Sequence, residues 1–217
     1  MTTLISIDPG MSSGIAVGTY SDTEPFQLTH VFQIEGGLKG FVKNVRLIEE
    51  EYALWGSLHI GRKSFNLWDT LYSGCVCGSE DDDCDCPFDV EEEYGDVICE
   101  KFTPRPNGKG GLTLASVEPL RIEGHLVGSG VMPDYPDKAW RQPSSQYFMC
   151  PTRGVTLPEK KKSANKWLRE NGFYFTGKDV GCKDADDARS ATLHALSYLR
   201  KFHRPTQEKY FKEEQHV

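Results

Sequence analysis

Acidic side chains end two otherwise apolar strands of this sequence. Asp8 follows the run Leu4–Ile7, and Glu100 follows Val97-Ile98-Cys99. A carboxylate on a core-facing surface needs a cation or hydrogen bonds to offset the hydration that it loses. We therefore take both residues as candidate metal ligands. In the simpler alternative, Asp8 only begins a turn and Glu100 is a surface acid after an edge strand.

A second acidic group opens an alanine-rich helix near the carboxyl end of the chain. At about 100° per residue, Asp184 and Asp187 fall on the same stripe as Ala188, whereas Asp186 points to the opposite face. Alternatively, Asp184 is only an N-cap, and both acids merely favour the helix dipole.

Four carboxylates that converge on one place repel each other unless cations neutralise them. Mg²⁺, or Mn²⁺ in its place, is the usual ion for such oxygen ligands. Two ions that share acidic ligands can promote hydrolysis of a phosphodiester. The chemistry that these residues indicate is therefore phosphoryl hydrolysis.

The elements that must position these acids follow from hydrophobic periodicity. We predict strands over residues 3–8, 15–20, 26–34, 96–100 and 138–142, and helices over 38–54, 114–128, 158–172 and 184–202. This order is typical of one sheet in an α/β or α+β domain. We expect a single domain over 1–217, with an insertion at about 56–93.

The net charge of −7 is unevenly distributed. Residues 80–93 hold nine acids and no Lys or Arg, which leaves 23 acids against 25 basic residues elsewhere. That balance permits phosphate binding without demonstrating it.

The sequence shows no signal peptide and no run of 18 apolar residues, so we expect a cytoplasmic protein without a membrane span.

Four cysteines lie in the predicted acidic insertion. Their spacing, two Cys-x-Cys pairs six residues apart, differs from the Cys-x₂-Cys pairs of most zinc sites. We interpret them as free thiols in a loop, with a Zn²⁺ site as the alternative. The residues are Cys75, Cys77, Cys84 and Cys86.

Three segments, in order along the chain, resemble the motifs of RuvC-type Holliday junction resolvases, in particular the bacteriophage branch. They are Ile5–Val17 with its Asp-Pro-Gly turn, Val97–Glu100, and Asp184–Ala188 with two Asp three residues apart. The resemblance implies a ribonuclease H-like mixed sheet flanked by helices. It also implies that Asp8, Glu100, Asp184 and Asp187 bind two divalent ions as the catalytic residues.

The same resemblance implies a homodimer that grips a four-way DNA junction, each protomer nicking one of two strands of like polarity. If a phage encodes the chain, the host cytoplasm is the expected location. The segment between motifs and the cysteine-bearing insertion depart from the bacterial pattern. Candidate phosphate contacts are Arg105, Lys109, Arg153, Lys162, Lys166 and Arg169, although a charged helix face is usually just solvated.

Three rival functions remain open. One keeps the fold but cleaves an RNA–DNA hybrid or a flap. Another is a catalytically silent nucleic-acid-binding module, against which the intact set of four acids argues. An actin-like ATP-binding protein shares the first hairpin but needs further Gly-rich turns, which the sequence lacks.

We expect His194 and His203 on the surface of the last helix.

Overall fold

The computed structural model describes residues 1–45, 96–100, 113–128, 141–142 and 157–211. Its strands are β1 (Thr2–Asp8), β2 (Ser12–Tyr20), β3 (Gln27–Glu35), β4 (Asp96–Glu100) and β5 (Arg141–Gln142). Its helices are α1 (described over 37–45), α2 (Leu114–Gly128), α3 (Leu157–Glu170), α4 (Asp186–Phe202) and α5 (Arg204–Tyr210).

The five strands form one mixed sheet in the order β3-β2-β1-β4-β5. The first three strands are antiparallel, whereas β4 runs parallel to β1 and β5 parallel to β4. All side chains from Leu4 to Asp8 in β1 are buried. Because neighbouring side chains of a strand point to opposite faces, both faces of the sheet are covered there. The predicted mixed sheet flanked by helices is confirmed.

Helix α4 packs closely against β1 and β2. Its buried alanines, Ala188, Ala191 and Ala195, are fully enclosed. A Cβ atom added to Gly14 of β2 would lie 2.0 Å from the backbone oxygen of Asp187. Gly14 therefore permits the contact between the first turn of α4 and the sheet because it has no side chain.

The carboxyl-terminal helices are tied back to the connection between β2 and β3 through a buried histidine. Thr206 Oγ1 accepts the N–H of Phe26 (2.8 Å) and lies 2.7 Å from His203 Nδ1. His203 Nε2 lies 2.7 Å from the Ser21 carbonyl oxygen, which can only accept. A neutral ring with its proton on Nε2 satisfies all of these contacts. The expected surface position of His203 is wrong, because this network holds the ring in the interior.

Several sequence predictions fall outside the described residues. The insertion at about 56–93, the continuation of α1 beyond residue 45 and the rest of the predicted strand over 138–142 belong to this group. Among the helices that the structure describes, none is long and apolar enough to cross a membrane.

Replacing Gly14 with Ala should destabilise the protein, because the new methyl group would collide with the backbone of Asp187. We expect a loss of about 1–3 kcal/mol or more in the free energy of unfolding, the usual range for overpacking. The urea midpoint, followed by circular dichroism, measures this loss.

Gly124→Ala in α2 is the matched control, because a Cβ there meets no atom of the described residues within 4 Å, apart from the adjacent backbone of its own helix. It should be neutral or should stabilise the protein by up to about 1 kcal/mol, through the higher helix propensity of Ala. Equal midpoints for Gly14→Ala and the wild type would show that α4 does not depend on this contact.

Candidate metal centre

The parallel pairing of β1 and β4 brings two acids to the same edge of the sheet. Ile7 pairs with Cys99, so Asp8 and Glu100 are the next residues along the two strands. Neighbouring strands lie only about 4.8 Å apart, which puts the two side chains within reach of each other. The carboxyl groups of Asp8 and Glu100 share a hydrogen bond.

Helix α4 places further polar side chains next to this edge of the sheet. Asp187 is close enough for its charge to repel that of Asp8, and the Ser190 side chain hydrogen-bonds to Asp8. Residues three and seven positions apart share one face of a helix. Asp187, Ser190 and His194 follow this spacing, so one face of α4 carries them all toward the strand ends.

The pKa of the Asp8 carboxyl is raised well above its usual value. Burial is the largest cause, followed by the hydrogen bond with Glu100 and the repulsion from Glu100 and Asp187. The hydrogen bond with Ser190 acts in the opposite direction. The site therefore disfavours a third negative charge unless a positive charge is placed among the acids.

Sequence reasoning did not assign His194 to this site, and it did not select Ser190 or Gln33 either. The side chain of His194 is fully buried, and its Nε2 lies 3.5 Å from Glu100 Oε2. One ligand atom each from Asp8, Glu100 and His194 lies within 4.8 Å of the other two. The predicted surface position of His194 is wrong, because α4 turns this face toward the sheet. The signal was present, since seven residues at 100° bring His194 within about 20° of Asp187.

Asp184 is placed differently from the other three predicted acids. The helix begins at Asp186, two residues later than predicted, so Asp184 lies in the preceding loop and is exposed. Its Oδ1 accepts from Gln33 Nε2 (3.0 Å) and from the Asp186 N–H (3.3 Å). The structure thus brings Asp8, Glu100 and Asp187 together. Asp184 is instead held by Gln33 of β3, a strand that lies two positions from β1 in the sheet.

Gln33 also caps the start of α4. Ala185 precedes the helix but offers no capping side chain, and the N–H of Ala188 instead donates to Gln33 Oε1 at 3.2 Å. A side chain of β3 thus accepts a hydrogen bond from the first turn, as an N-cap residue does in most helices. One amide group holds both the helix start and the Asp184 carboxylate.

Asp186 forms an ion pair outside the acidic cluster. Its Oδ1 forms an ion pair with Arg189 Nη2, and Arg189 Nη1 donates to the Phe175 carbonyl oxygen (2.8 Å). The Arg189 side chain is only 9% exposed. Asp186 therefore neutralises a nearly buried guanidinium and has a structural role.

The basic candidates are described only in part. Lys162, Lys166 and Arg169 are exposed on α3, where Lys166 lies 3.7 Å from Glu170 and the Arg169 guanidinium stacks on Tyr174. The other predicted phosphate contacts and all four cysteines of the predicted insertion lie outside the described residues. They are Arg105, Lys109, Arg153, Cys75, Cys77, Cys84 and Cys86.

The donor set fits a divalent cation. Asp8, Glu100 and Asp187 offer carboxylate oxygens, and a positive charge among them would relieve the repulsion that raises the pKa of Asp8. Neither ring nitrogen of the buried His194 has a hydrogen-bond partner within the described part of the chain. A buried polar atom without a partner is unfavourable, and coordination of an ion would supply one.

No protein-family model matches this chain, and no curated protein matches it by sequence. Among solved structures, Thermus thermophilus RuvC in complex with a Holliday junction substrate aligns with 93% of this chain and 96% of its own, at 12% identity and a TM-score of 0.40. A second Thermus thermophilus RuvC structure covers the same shares at 13% identity and the same TM-score. RuvC is thus among the solved proteins to which this chain is similar, as its motifs predicted.

Proposed function

We propose that this chain is a divalent-cation-dependent endonuclease that resolves four-way DNA junctions and related branched DNA. The observation that carries the proposal is the contact between the buried Asp8 and Glu100, with Asp187 near enough to repel Asp8. These acids come from three distant parts of the chain and are the same ones that the motifs select. A fold gains no stability from crowding like charges, so their convergence favours a functional role.

Asp8, Glu100 and Asp187 are the residues that would hold the cation, and the motif resemblance adds Asp184 as a further ligand. When bound, divalent cations polarise the phosphate, activate the attacking water and stabilise the charge on the leaving oxygen. The chain itself keeps the ligands in place. Ser190 orients the Asp8 carboxyl, and Gln33 holds Asp184 and the first turn of α4.

The choice of a branched substrate rests on the motif resemblance, which also implies a homodimer. A four-way junction offers two equivalent strands, and a two-fold dimer offers two matched sites. The exposed basic face of α3 is suited to phosphate contacts outside the metal site. A hybrid or flap nuclease with the same acids is the second candidate.

One experiment separates these substrates. End-labelled four-way junction, flap, RNA–DNA hybrid and linear duplex are incubated with the protein and Mg²⁺ or Mn²⁺, with chelator in parallel. We expect paired, symmetric nicks in the junction and no cleavage with chelator. Preferential cleavage of the hybrid or flap would favour the second candidate, and cleavage in chelator would refute the metal mechanism.

Asp187→Asn should reduce junction cleavage by about three orders of magnitude or more, because it removes a charged ligand from a site built from charge. Binding of the junction, measured by gel shift in Ca²⁺, should remain. Asp184→Asn should have a smaller effect than Asp187→Asn, since Asp184 is hydrogen-bonded to Gln33 of β3 and only Asp187 of the two is near enough to repel Asp8.

Asp186→Asn is the matched control on the same turn. It should cleave at nearly the wild-type rate but melt at a lower temperature, because it leaves the nearly buried Arg189 with less compensation. An inactive Asp186→Asn with an active Asp187→Asn would refute the ligand assignment.

Asp8→Asn should raise the melting temperature in chelator, because an amide removes the repulsion that Glu100 and Asp187 exert on the buried Asp8 carboxylate. A gain of 1 kcal/mol corresponds to about 2–4 °C for a chain of this size. Mn²⁺ should raise the melting temperature of the wild type, because a ligand that binds only the folded state stabilises that state. Asp8→Asn should not show this increase. Differential scanning calorimetry with and without Mn²⁺ measures both; a variant that melts lower in chelator would contradict the electrostatic argument.

Replacing Lys162, Lys166 and Arg169 together with Ala should weaken junction binding and reduce its salt dependence. The slope of log K against log salt should fall by about 1 for each phosphate that the variant no longer binds. Lys201→Ala is the control, because it removes an exposed charge about 21 Å along α4 from Asp187. Fluorescence anisotropy between low and physiological salt gives the slopes; equal slopes for the triple variant and the wild type would exclude α3 from the interface.

A further inference from the structure

We propose that His194 is a nitrogen ligand of the cation site, so that the site prefers a first-row transition ion to Mg²⁺. The inference rests on the cation site of the proposed function but is independent of which nucleic acid is cleaved. The motif resemblance does not supply this residue, since it selects only acids. What supports His194 is its position, its burial and its contacts.

The ligand atoms of Asp8, Glu100 and His194 have a spacing that suits one ion. All three lie within 4.8 Å of one another, and His194 Nε2 is 3.5 Å from Glu100 Oε2. Ligands on opposite sides of an ion, each at about 2.1 Å, are about 4.2 Å apart, and adjacent ligands are closer. Small side-chain movements would therefore complete coordination by these three residues.

The state of the imidazole also points to a ligand. His194 is fully buried, and the described residues offer neither of its nitrogens a hydrogen bond. His203 is a buried histidine with a structural role, and both of its ring nitrogens have polar partners at 2.7 Å. The ring of His194, whose Nε2 faces Glu100, has no such partner for either nitrogen among the described residues.

An imidazole ligand changes which ion the site selects. Mg²⁺ prefers oxygen ligands and gives up its water reluctantly, whereas imidazole nitrogen favours transition ions such as Co²⁺ and Ni²⁺. A site with oxygen ligands from Asp8 and Glu100 and a nitrogen ligand from His194 should bind Co²⁺ much more tightly than Mg²⁺. His194→Gln replaces the nitrogen with an oxygen and should remove much of this preference.

The direct test is pulsed electron paramagnetic resonance of Mn²⁺ bound to the full-length wild-type protein. We expect a directly coordinated ¹⁴N signal that changes when the protein is labelled with ¹⁵N-histidine and disappears in His194→Gln. His30→Gln is the matched control and should keep the signal, because His30 lies on β3 and outside the three-residue cluster. The wild-type spectrum decides the question even if a variant folds poorly.

Competition measures the selectivity. The Co²⁺ concentration that displaces half of the bound Mn²⁺ should rise about tenfold or more in His194→Gln, whereas the Mg²⁺ concentration should change little. Mn²⁺ binding that is abolished in Asp8→Asn but shows no coordinated nitrogen in the wild type would overturn the role of His194 and leave the proposed function standing. Failure of the wild type to bind Mn²⁺ at all would overturn the cation site, and the proposed function with it.

Discussion

The contact between the first turn of α4 and the start of β2 is the constraint on which the rest of this site depends. A Cβ at Gly14 would overlap the backbone of Asp187, so the helix can lie at this distance from the sheet only above a glycine. The small side chains of Ala188 and Ala191 continue the close approach along the helix. Asp187, Ser190 and His194 reach the ends of β1 and β4 because the helix axis is held this close.

The close packing has an electrostatic consequence. It encloses Asp8 against Glu100 and Asp187, and burial with like charges makes ionisation of Asp8 unfavourable. Such a cluster works against folding, so the surrounding structure must hold it in place. The aliphatic core and the network of His203, Thr206 and Phe26 do so from the far end of α4. Part of the stability that these contacts provide is therefore offset by the site.

The sequence predicted much of this arrangement, and the reasons are local. Asp8 and Glu100 were found because an acid after an apolar strand is conspicuous, and Asp187 because its helix phase matches that of buried alanines. The position of Asp184 could not be predicted from phase, since Gln33 caps the helix from another strand and moves its start to Asp186. Such a capping contact, 155 residues away in sequence, leaves no local pattern.

His194 was missed for a different reason. Helix phase alone places it near Asp187, but a lone histidine among alanines and leucines on an otherwise amphipathic helix is easily assigned to the surface. Its burial follows from the sheet above which α4 lies, and the pairing of β1 with β4 depends on residues about ninety positions apart. Long-range pairing of this kind sets the surroundings of a residue without altering its local sequence pattern.

Two backbone relations therefore determine the candidate centre: the register of β4 on β1, and the distance of α4 from β2. Side chains alternate between faces along a strand, so a slip of β4 by one residue would turn Glu100 away and present Cys99 beside Asp8. A shift of α4 by one residue would rotate its ligand face by about 100°. Neither relation can change gradually, because each is held by a closely packed interior. The positions of the ligands are thus set by backbone packing, which leaves the side chains only small adjustments when an ion binds.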